Sequence, residues 1–137
     1  GKDAMKNNQT QIPPTVSKFI EVFWFTLVAG PSRFGGWYCS IGQISNPKFS
    51  LILGLEDWGD SAWCDFTFFL TDYLEGQTFP YALGTDFSDA LQQLENKLAN
   101  IPDKQIKYGS SWAEEYNRLL EVLVDGDTID MGNFTRI

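Results

Sequence analysis

The sequence predicts an α+β domain in which an antiparallel meander of four to five strands precedes two helices packed on one face of the sheet. Two observations favour this class. Between residues 19 and 71 the apolar side chains follow strand patterns broken by turn residues, whereas after residue 84 they recur every three or four positions. Because strands come first and helices follow, the order indicates α+β rather than alternating βαβ units.

The first predicted strand covers residues 19–29, which are β-branched and aromatic and carry apolar side chains on both faces. Gly, Pro and Ser residues at 30–36 predict a turn, a second strand follows at 37–44, and Asn46 with Pro47 predicts the next turn. Two further strands and a short extended piece are predicted at 50–56, 61–71 and 78–83. Trp58, Gly59 and Asp60 would close the hairpin between the third and fourth strands.

Alternation along these strands predicts two unlike sheet faces. One face holds Cys39, Leu53 and Phe66, and we expect the helices to cover it. The other face carries an aromatic surplus that consists of Trp24, Tyr38, Trp63 and Phe69. Left uncovered, these rings would form an exposed apolar patch of the kind that marks interaction surfaces. Coverage by the leader, the tail or the second helix is the alternative interpretation.

Two amphipathic helices are predicted after the strands. The first has the apolar stripe Phe87, Leu91, Leu94, Leu98 and Ile101. Thr85 or Ser88 would cap its start, and Pro102 would close it. The second begins at Ser111, with a capping box completed by Glu114 and a C-cap at Gly126. Its stripe is Trp112, Tyr116, Leu119, Leu120 and Leu123.

The length of 137 residues predicts one domain, placed at 18–137, after a flexible leader at 1–17. Residues 1–4 are interpreted as a cloning remnant ahead of Met5. The tail at 128–137 is either a last strand or an exposed end. No apolar run reaches the roughly 18 residues needed to span a bilayer, so we expect a cytoplasmic protein with free thiols.

Charge and composition exclude several functions. A net charge of −8 opposes binding to nucleic acids and to anionic membranes. The complete lack of histidine rules out a Ser-His-Asp or Cys-His mechanism built within the chain. A carboxylate pair such as Asp57 and Asp65 could serve an acid hydrolase, but surface acids at this density pair by chance. We therefore predict no catalytic residues and rank an enzyme last.

No cofactor or metal is predicted either. Cys39 and Cys64 lie 25 positions apart without basic neighbours, as is typical of buried, inert thiols. The acidic segment that begins at Asp125 lacks the Gly at the sixth position and the Glu at the twelfth position that a calcium loop requires. Gly30, Gly35 and Gly36 match neither phosphate-binding glycine motif.

The most informative feature is a stretch of sorted charge. Between Phe49 and Asn96 there are nine acids and no Lys or Arg. The predicted partner-binding residues lie at the tip and on the second strand of the predicted hairpin: Glu56, Asp57, Trp58, Asp60, Trp63 and Asp65. An anionic patch beside aromatic rings would steer a basic partner and anchor it. A solvated surface that keeps the protein soluble is the alternative.

These features predict a non-enzymatic protein-binding domain, with a small acidic inhibitor or immunity-type protein that occludes a basic effector, such as a toxin, as the best-fitting kind. The alternative is a homodimeric structural module, or a module for a small ligand such as a sugar, that uses the aromatic sheet face.

Overall fold

The computed structural model describes residues 11–32, 35–49, 79–121, 123–125 and 128–129. Its helices and strands in chain order are α1 (Pro14–Phe23), β1 (Thr26–Pro31), β2 (Trp37–Gly42), β3 (Tyr81–Gly84), α2 (Phe87–Leu98), α3 (Ser111–Leu120), β4 (Leu123–Asp125) and β5 (Thr128–Ile129). A 3-10 turn at Asp103–Gln105 lies between α2 and α3. The described part is an α+β structure, which confirms the predicted class.

Strands β1, β2 and β3 form an antiparallel sheet in that order, and β4 pairs with β5 in a separate hairpin. Gly35 and Gly36 allow the turn between β1 and β2, since both have positive φ values, 100° and 80°. The antiparallel pairing is confirmed. The predicted strands at 50–56 and 61–71 lie outside the described residues, so the count of four to five strands stays a prediction.

The remaining strand boundaries differ from the prediction by a few residues. The second strand ends at Gly42 rather than at residue 44, and the turn that follows lies at Ile44 and Ser45, with a helical backbone at 47–49. The extended piece predicted at 78–83 is β3.

The largest correction concerns the first predicted strand, 19–29. Only its second half is extended, as part of β1, and its first half belongs to α1. Val16, Phe19 and Phe23 bury one side of α1, at the spacing of a helix rather than of a strand. Because α1 begins at Pro14 and Val16 is fully buried, the predicted leader extends too far: residues 14–17 are part of the fold.

A side chain from another helix accepts hydrogen bonds from the N–H groups at the start of α1. The backbone N–H groups of Thr15 and Val16 donate to the carboxylate of Glu95 in α2, at 3.2 and 3.0 Å. Unpaired N–H groups of a first helical turn carry partial positive charge, so a carboxylate there is favourable. This contact fixes α1 against α2.

Helix α2 confirms the predicted apolar stripe, with Leu91, Leu94 and Leu98 buried. Its cap is Asp86, rather than Thr85 or Ser88, because the Asp86 carboxylate accepts the N–H of Asp89 at 2.8 Å.

Helix α3 begins at Ser111 as predicted, but its cap is Ser110, whose hydroxyl accepts the N–H of Ala113 at 3.1 Å. The predicted capping box of Ser111 with Glu114 is therefore wrong by one position. The helix ends at Leu120, so Leu123 belongs to β4 and not to the helical stripe. The helix also ends before Gly126, the predicted C-cap, which lies outside the described residues.

One face of the three-stranded sheet holds Cys39, Ile41 and Ala82, all buried. Helix α2 lies against this sheet so closely that a Cβ at Gly84 would be 2.3 Å from the backbone nitrogen of Ala90. Only glycine permits that approach. The expectation that the Cys39 face is covered by helix is confirmed for this part of the sheet.

The opposite face is partly covered where the structure describes it, with Ser40 buried and Leu83 exposed. Tyr38 and Tyr81 stack with ring centroids 5.8 Å apart, and Tyr81 is buried. The ring of Phe49 lies over Gly42. Within the described residues, this face therefore does not form an open aromatic surface.

Of the four aromatic residues predicted on that face, the structure describes two, Tyr38 and Trp24, and places them differently. Tyr38 is half-buried within the sheet, whereas Trp24 is not in a strand at all but follows the last residue of α1. Trp63 and Phe69 lie outside the described residues.

We predict that Glu95→Ala lowers the free energy of unfolding by about 1–2 kcal/mol, because it leaves two N–H groups of α1 without their acceptor. Glu95→Gln, which keeps an acceptor oxygen, should lose less. Urea denaturation measures both changes. The control is Gln92→Ala, an exposed position on the same helix, for which a change below about 0.5 kcal/mol is expected. Equal stabilities for Glu95→Ala and Gln92→Ala would contradict the capping role.

Candidate functional site

The six predicted partner-binding residues, Glu56, Asp57, Trp58, Asp60, Trp63 and Asp65, all lie outside the described residues. Three of the nine acids in the stretch are described: Asp86, Asp89 and Glu95. Each has a structural task. Asp86 caps α2, Glu95 binds the start of α1, and hydrogen bonds from Thr85 and Gln93 lower the pKa of Asp89.

The described residues do form another candidate site, a cavity of about 260 Å³ between the end of α1 and the start of α3. Its aromatic lining consists of Phe23, Phe25, Tyr108, Trp112 and Tyr116. Its polar lining side chains are Gln43, Asn46, Glu114 and Asn117. Apolar walls with a few convergent polar groups are the composition expected of a binding pocket.

The aromatic rings of the cavity hold one another in place. Trp112 and Tyr116 stack at 5.3 Å between centroids and 9° between planes, and Phe23 stacks on Phe25 at 5.2 Å. Phe25 also contacts Tyr116 at 5.5 Å, which joins the two pairs. Ring pairs in such arrangements stabilise beyond the area they bury, so the cavity floor is preformed.

A shallower depression of about 450 Å³ adjoins this cavity, and the two share Gln43 and Tyr108. Three large apolar side chains line the depression and are unusually exposed: Trp24 at 80%, Tyr108 at 62% and Ile44 at 55%. We call the cavity and this depression together the aromatic cleft. Clustered exposed apolar side chains mark surfaces that bind something.

Trp24 has the most unusual backbone of the cleft. It follows α1 with φ 59° and ψ 39°, the left-handed conformation in which helices commonly end at glycine. For an L-residue with a large side chain this conformation costs about 1–2 kcal/mol. Backbone strain of this kind is concentrated at functional sites.

Polar groups anchor the loops that carry the cleft. The side-chain amide nitrogen of Gln43 donates to the carbonyl of Phe23 at 3.2 Å, which ties the loop after β2 to the end of α1. The side-chain oxygen of Gln105 accepts the N–H of Trp112 at 2.8 Å, at the start of α3. Gly109, with φ 76°, makes the turn between Tyr108 and that helix.

The ionisable side chains that line the cavity are Tyr108, Glu114 and Tyr116. Burial raises the pKa of Tyr116, so its hydroxyl stays protonated and donates to the carbonyl of Ile41 at 3.5 Å. Glu114 is the one carboxylate among the described lining residues. A hydrolytic pair of carboxylates is therefore not assembled in the described part of the cleft.

Other perturbed groups lie away from the cleft. Cys39 is buried, as predicted, and burial raises the pKa of its thiol to about 12, whereas Cys64 is outside the described residues. Burial also lowers the pKa of Lys97 to about 8, and its ammonium donates to the carbonyl of Tyr81. Within the described ranges no group of three His, Cys, Asp or Glu side chains could hold a metal.

Comparison with known proteins gives no relative: no family model, no curated protein and no solved structure matches the chain. None of the helices in the described part has the length and apolar character needed to cross a membrane.

No pattern in the sequence predicts the cleft, although some of its residues carry a signal of another kind. Trp112 and Tyr116 belong to the predicted buried stripe of a helix, and they form both core and cleft floor. Tyr108 and Ile44 carried no signal beyond being apolar side chains in turns. Trp24 is among the aromatic residues that the sequence predicts to be exposed, and it is exposed, but at the end of α1 rather than on a strand.

We predict that Trp24→Gly is more stable than Trp24→Ala by about 1 kcal/mol, because both remove the ring but only glycine relieves the left-handed conformation. Thermal and urea unfolding of the two variants provide the comparison. An alanine variant as stable as the glycine variant would show that residue 24 does not hold this conformation in solution.

Proposed function

We propose that the chain is a non-enzymatic protein-binding domain, a small acidic inhibitor or immunity-type protein that occludes a basic effector such as a toxin. The observation that carries this proposal is the exposure of Trp24, Tyr108 and Ile44 around a preformed cavity. Aromatic side chains of this kind are the residues that dominate binding energy at protein interfaces.

Charge supports a basic partner. The net charge of −8 and the nine acids without a base between Phe49 and Asn96 would attract a cationic protein over long range. Glu56, Asp57, Asp60 and Asp65 remain the proposed source of this attraction, with Trp58 and Trp63 as further anchors. The role of charge in such complexes lies mainly in the association rate, whereas buried rings slow dissociation.

The cleft and the acidic stretch therefore have separate proposed tasks. The cleft anchors the partner and the acidic stretch guides it. Asp86, Asp89 and Glu95 also bond to N–H groups near helix starts, and as carboxylates they still contribute to the long-range negative charge. A cytoplasmic setting completes the proposal, and the free thiol of Cys39 is compatible with it.

We predict that Trp24→Gly weakens binding to a basic partner recovered from the native host by about tenfold or more, because it deletes an anchor ring. Glycine suits the backbone conformation of residue 24, so the loss would not reflect unfolding. The matched control is Leu83→Ser, another exposed apolar position, which lines neither part of the cleft. Calorimetric titration of each variant with the purified partner gives the affinities.

Two results would count against the proposal. If Trp24→Gly and Tyr108→Ser bind the partner as tightly as the unaltered chain, the cleft is not the binding surface. If the double change Asp57→Lys and Asp60→Lys leaves the association rate and its salt dependence unchanged, the acidic stretch does not guide the partner.

A homodimer is the second candidate, and the exposed rim of Trp24, Tyr108 and Ile44 favours it because a second copy could cover the same surface. Sedimentation at micromolar concentration separates the two: a dimer that Trp24→Gly dissociates supports self-association. A monomer removes this candidate and leaves the cleft available to another protein.

A further inference from the structure

We propose that the cavity of the aromatic cleft binds an arginine side chain of the partner, with the guanidinium among the aromatic rings and paired with Glu114. This inference rests on the proposed function and names the group that the partner would insert. It follows from the size of the cavity, from its single charged side chain and from the hydrogen bonds that its polar side chains already make.

The size of the cavity favours one side chain. At about 260 Å³ it is smaller than the roughly 300–1,000 Å³ of pockets for drug-sized ligands. Its aromatic walls suit the planar guanidinium, which stacks on rings and is more weakly hydrated than the ammonium of lysine. Arginine is also enriched at the centres of protein interfaces.

The charge of the cavity favours a cation. Glu114 is the only charged side chain among the described lining residues, and it has no ion-pair partner in the described part of the chain. The next residue, Glu115, differs: its carboxylate holds Arg118 at 2.7 Å. An unpaired carboxylate beside aromatic faces attracts a cation through both charge and ring quadrupole.

The hydrogen bonds that the polar lining side chains already make leave mainly acceptor atoms. Gln43 uses its amide nitrogen on the carbonyl of Phe23, which leaves its oxygen as an acceptor. Tyr116 donates its hydroxyl proton to the carbonyl of Ile41, which likewise leaves oxygen lone pairs. Arginine has only donors, so it matches these groups. Asn46 is the exception, since its oxygen accepts the N–H of Lys48; its amide nitrogen suits a backbone carbonyl of the same partner.

A pair of blocked tripeptides tests this inference without the partner. One is Gly-Arg-Gly, and the other carries citrulline, which has nearly the shape of arginine but no charge. Each is titrated into the full chain, and binding is followed by the nuclear magnetic resonance shift of the Trp112 indole N–H. We expect the arginine peptide to bind saturably and the citrulline peptide about tenfold more weakly, within the range of a cation–π contact combined with an ion pair.

Two charge-matched variants locate the contact. Glu114→Gln should weaken the arginine peptide by about two- to fivefold, as expected for a partly exposed ion pair. Glu121→Gln makes the same change in net charge at an exposed position that does not line the cavity, and it should leave affinity unchanged. Added salt should reduce the difference between the unaltered chain and Glu114→Gln.

Three outcomes would overturn the inference: no saturable binding of the arginine peptide, equal binding of both peptides, or equal effects of Glu114→Gln and Glu121→Gln. None of these removes the proposed function, because a neutral side chain could still occupy the cleft of a protein-binding domain. Conversely, if Trp24→Gly leaves partner affinity intact while the peptides behave as expected, the cavity binds arginine but is not the interface.

Discussion

The contact between Glu95 and the start of α1 is the constraint on which the candidate site depends. An α-helix begins with four N–H groups that have no partner within the helix. In α1 two of these positions are Pro13 and Pro14, which have no N–H, and the other two, Thr15 and Val16, both donate to Glu95. The next N–H, from Ser17, bonds to the carbonyl of Pro13. One carboxylate, eighty residues away in sequence, thus completes this end of α1.

This contact sets where the other end of α1 lies. With its start held by α2, the helix places Phe19 and Phe23 against Trp112 of α3, at 4.9 and 5.4 Å between ring centroids. The chain must then reverse into β1, and the left-handed backbone of Trp24 makes that change of direction. A glycine would make the same turn without strain. The tryptophan therefore contributes little to the fold and leaves most of its ring in solvent, which is understandable if the ring has a binding role.

The parts that were predictable from sequence are those in which local signals agree. Helix α2 has its stripe and a closing proline, and the hairpin of β1 and β2 has its glycines. The sequence predicts a strand where the second half of α1 forms, because residues there are β-branched and aromatic, a composition that favours strands. Its helical spacing shows only in a window that begins at Val16, and no glycine marks its end. The predicted caps of α2 and α3 lie one or two residues from the observed caps, because several neighbouring side chains could each cap.

The cleft was beyond sequence reasoning for a different reason. Its walls come from three separate segments, at 23–26, 43–46 and 108–117, and none of them carries a motif by itself. Only the docking of α1 brings them together, and a sequence that predicts a strand at this place does not predict that docking. Because the sequence predicts a strand in place of the second half of α1, it does not predict the cleft. The net charge of the chain, by contrast, follows directly from its composition.

Charge alone does not define a binding surface, since neighbouring carboxylates in this protein have different tasks. Glu95 and Asp86 satisfy backbone N–H groups, and Glu115 holds Arg118. Glu114, one position before Glu115, faces a cavity of aromatic rings and has no such partner among the described residues. Glu114 lies in the first turn of α3, where its charge complements the partial positive charge of the helix start, and it also lines the aromatic cavity. The acidic composition brings a basic partner near, and the shape and rings of the cleft decide where it is held.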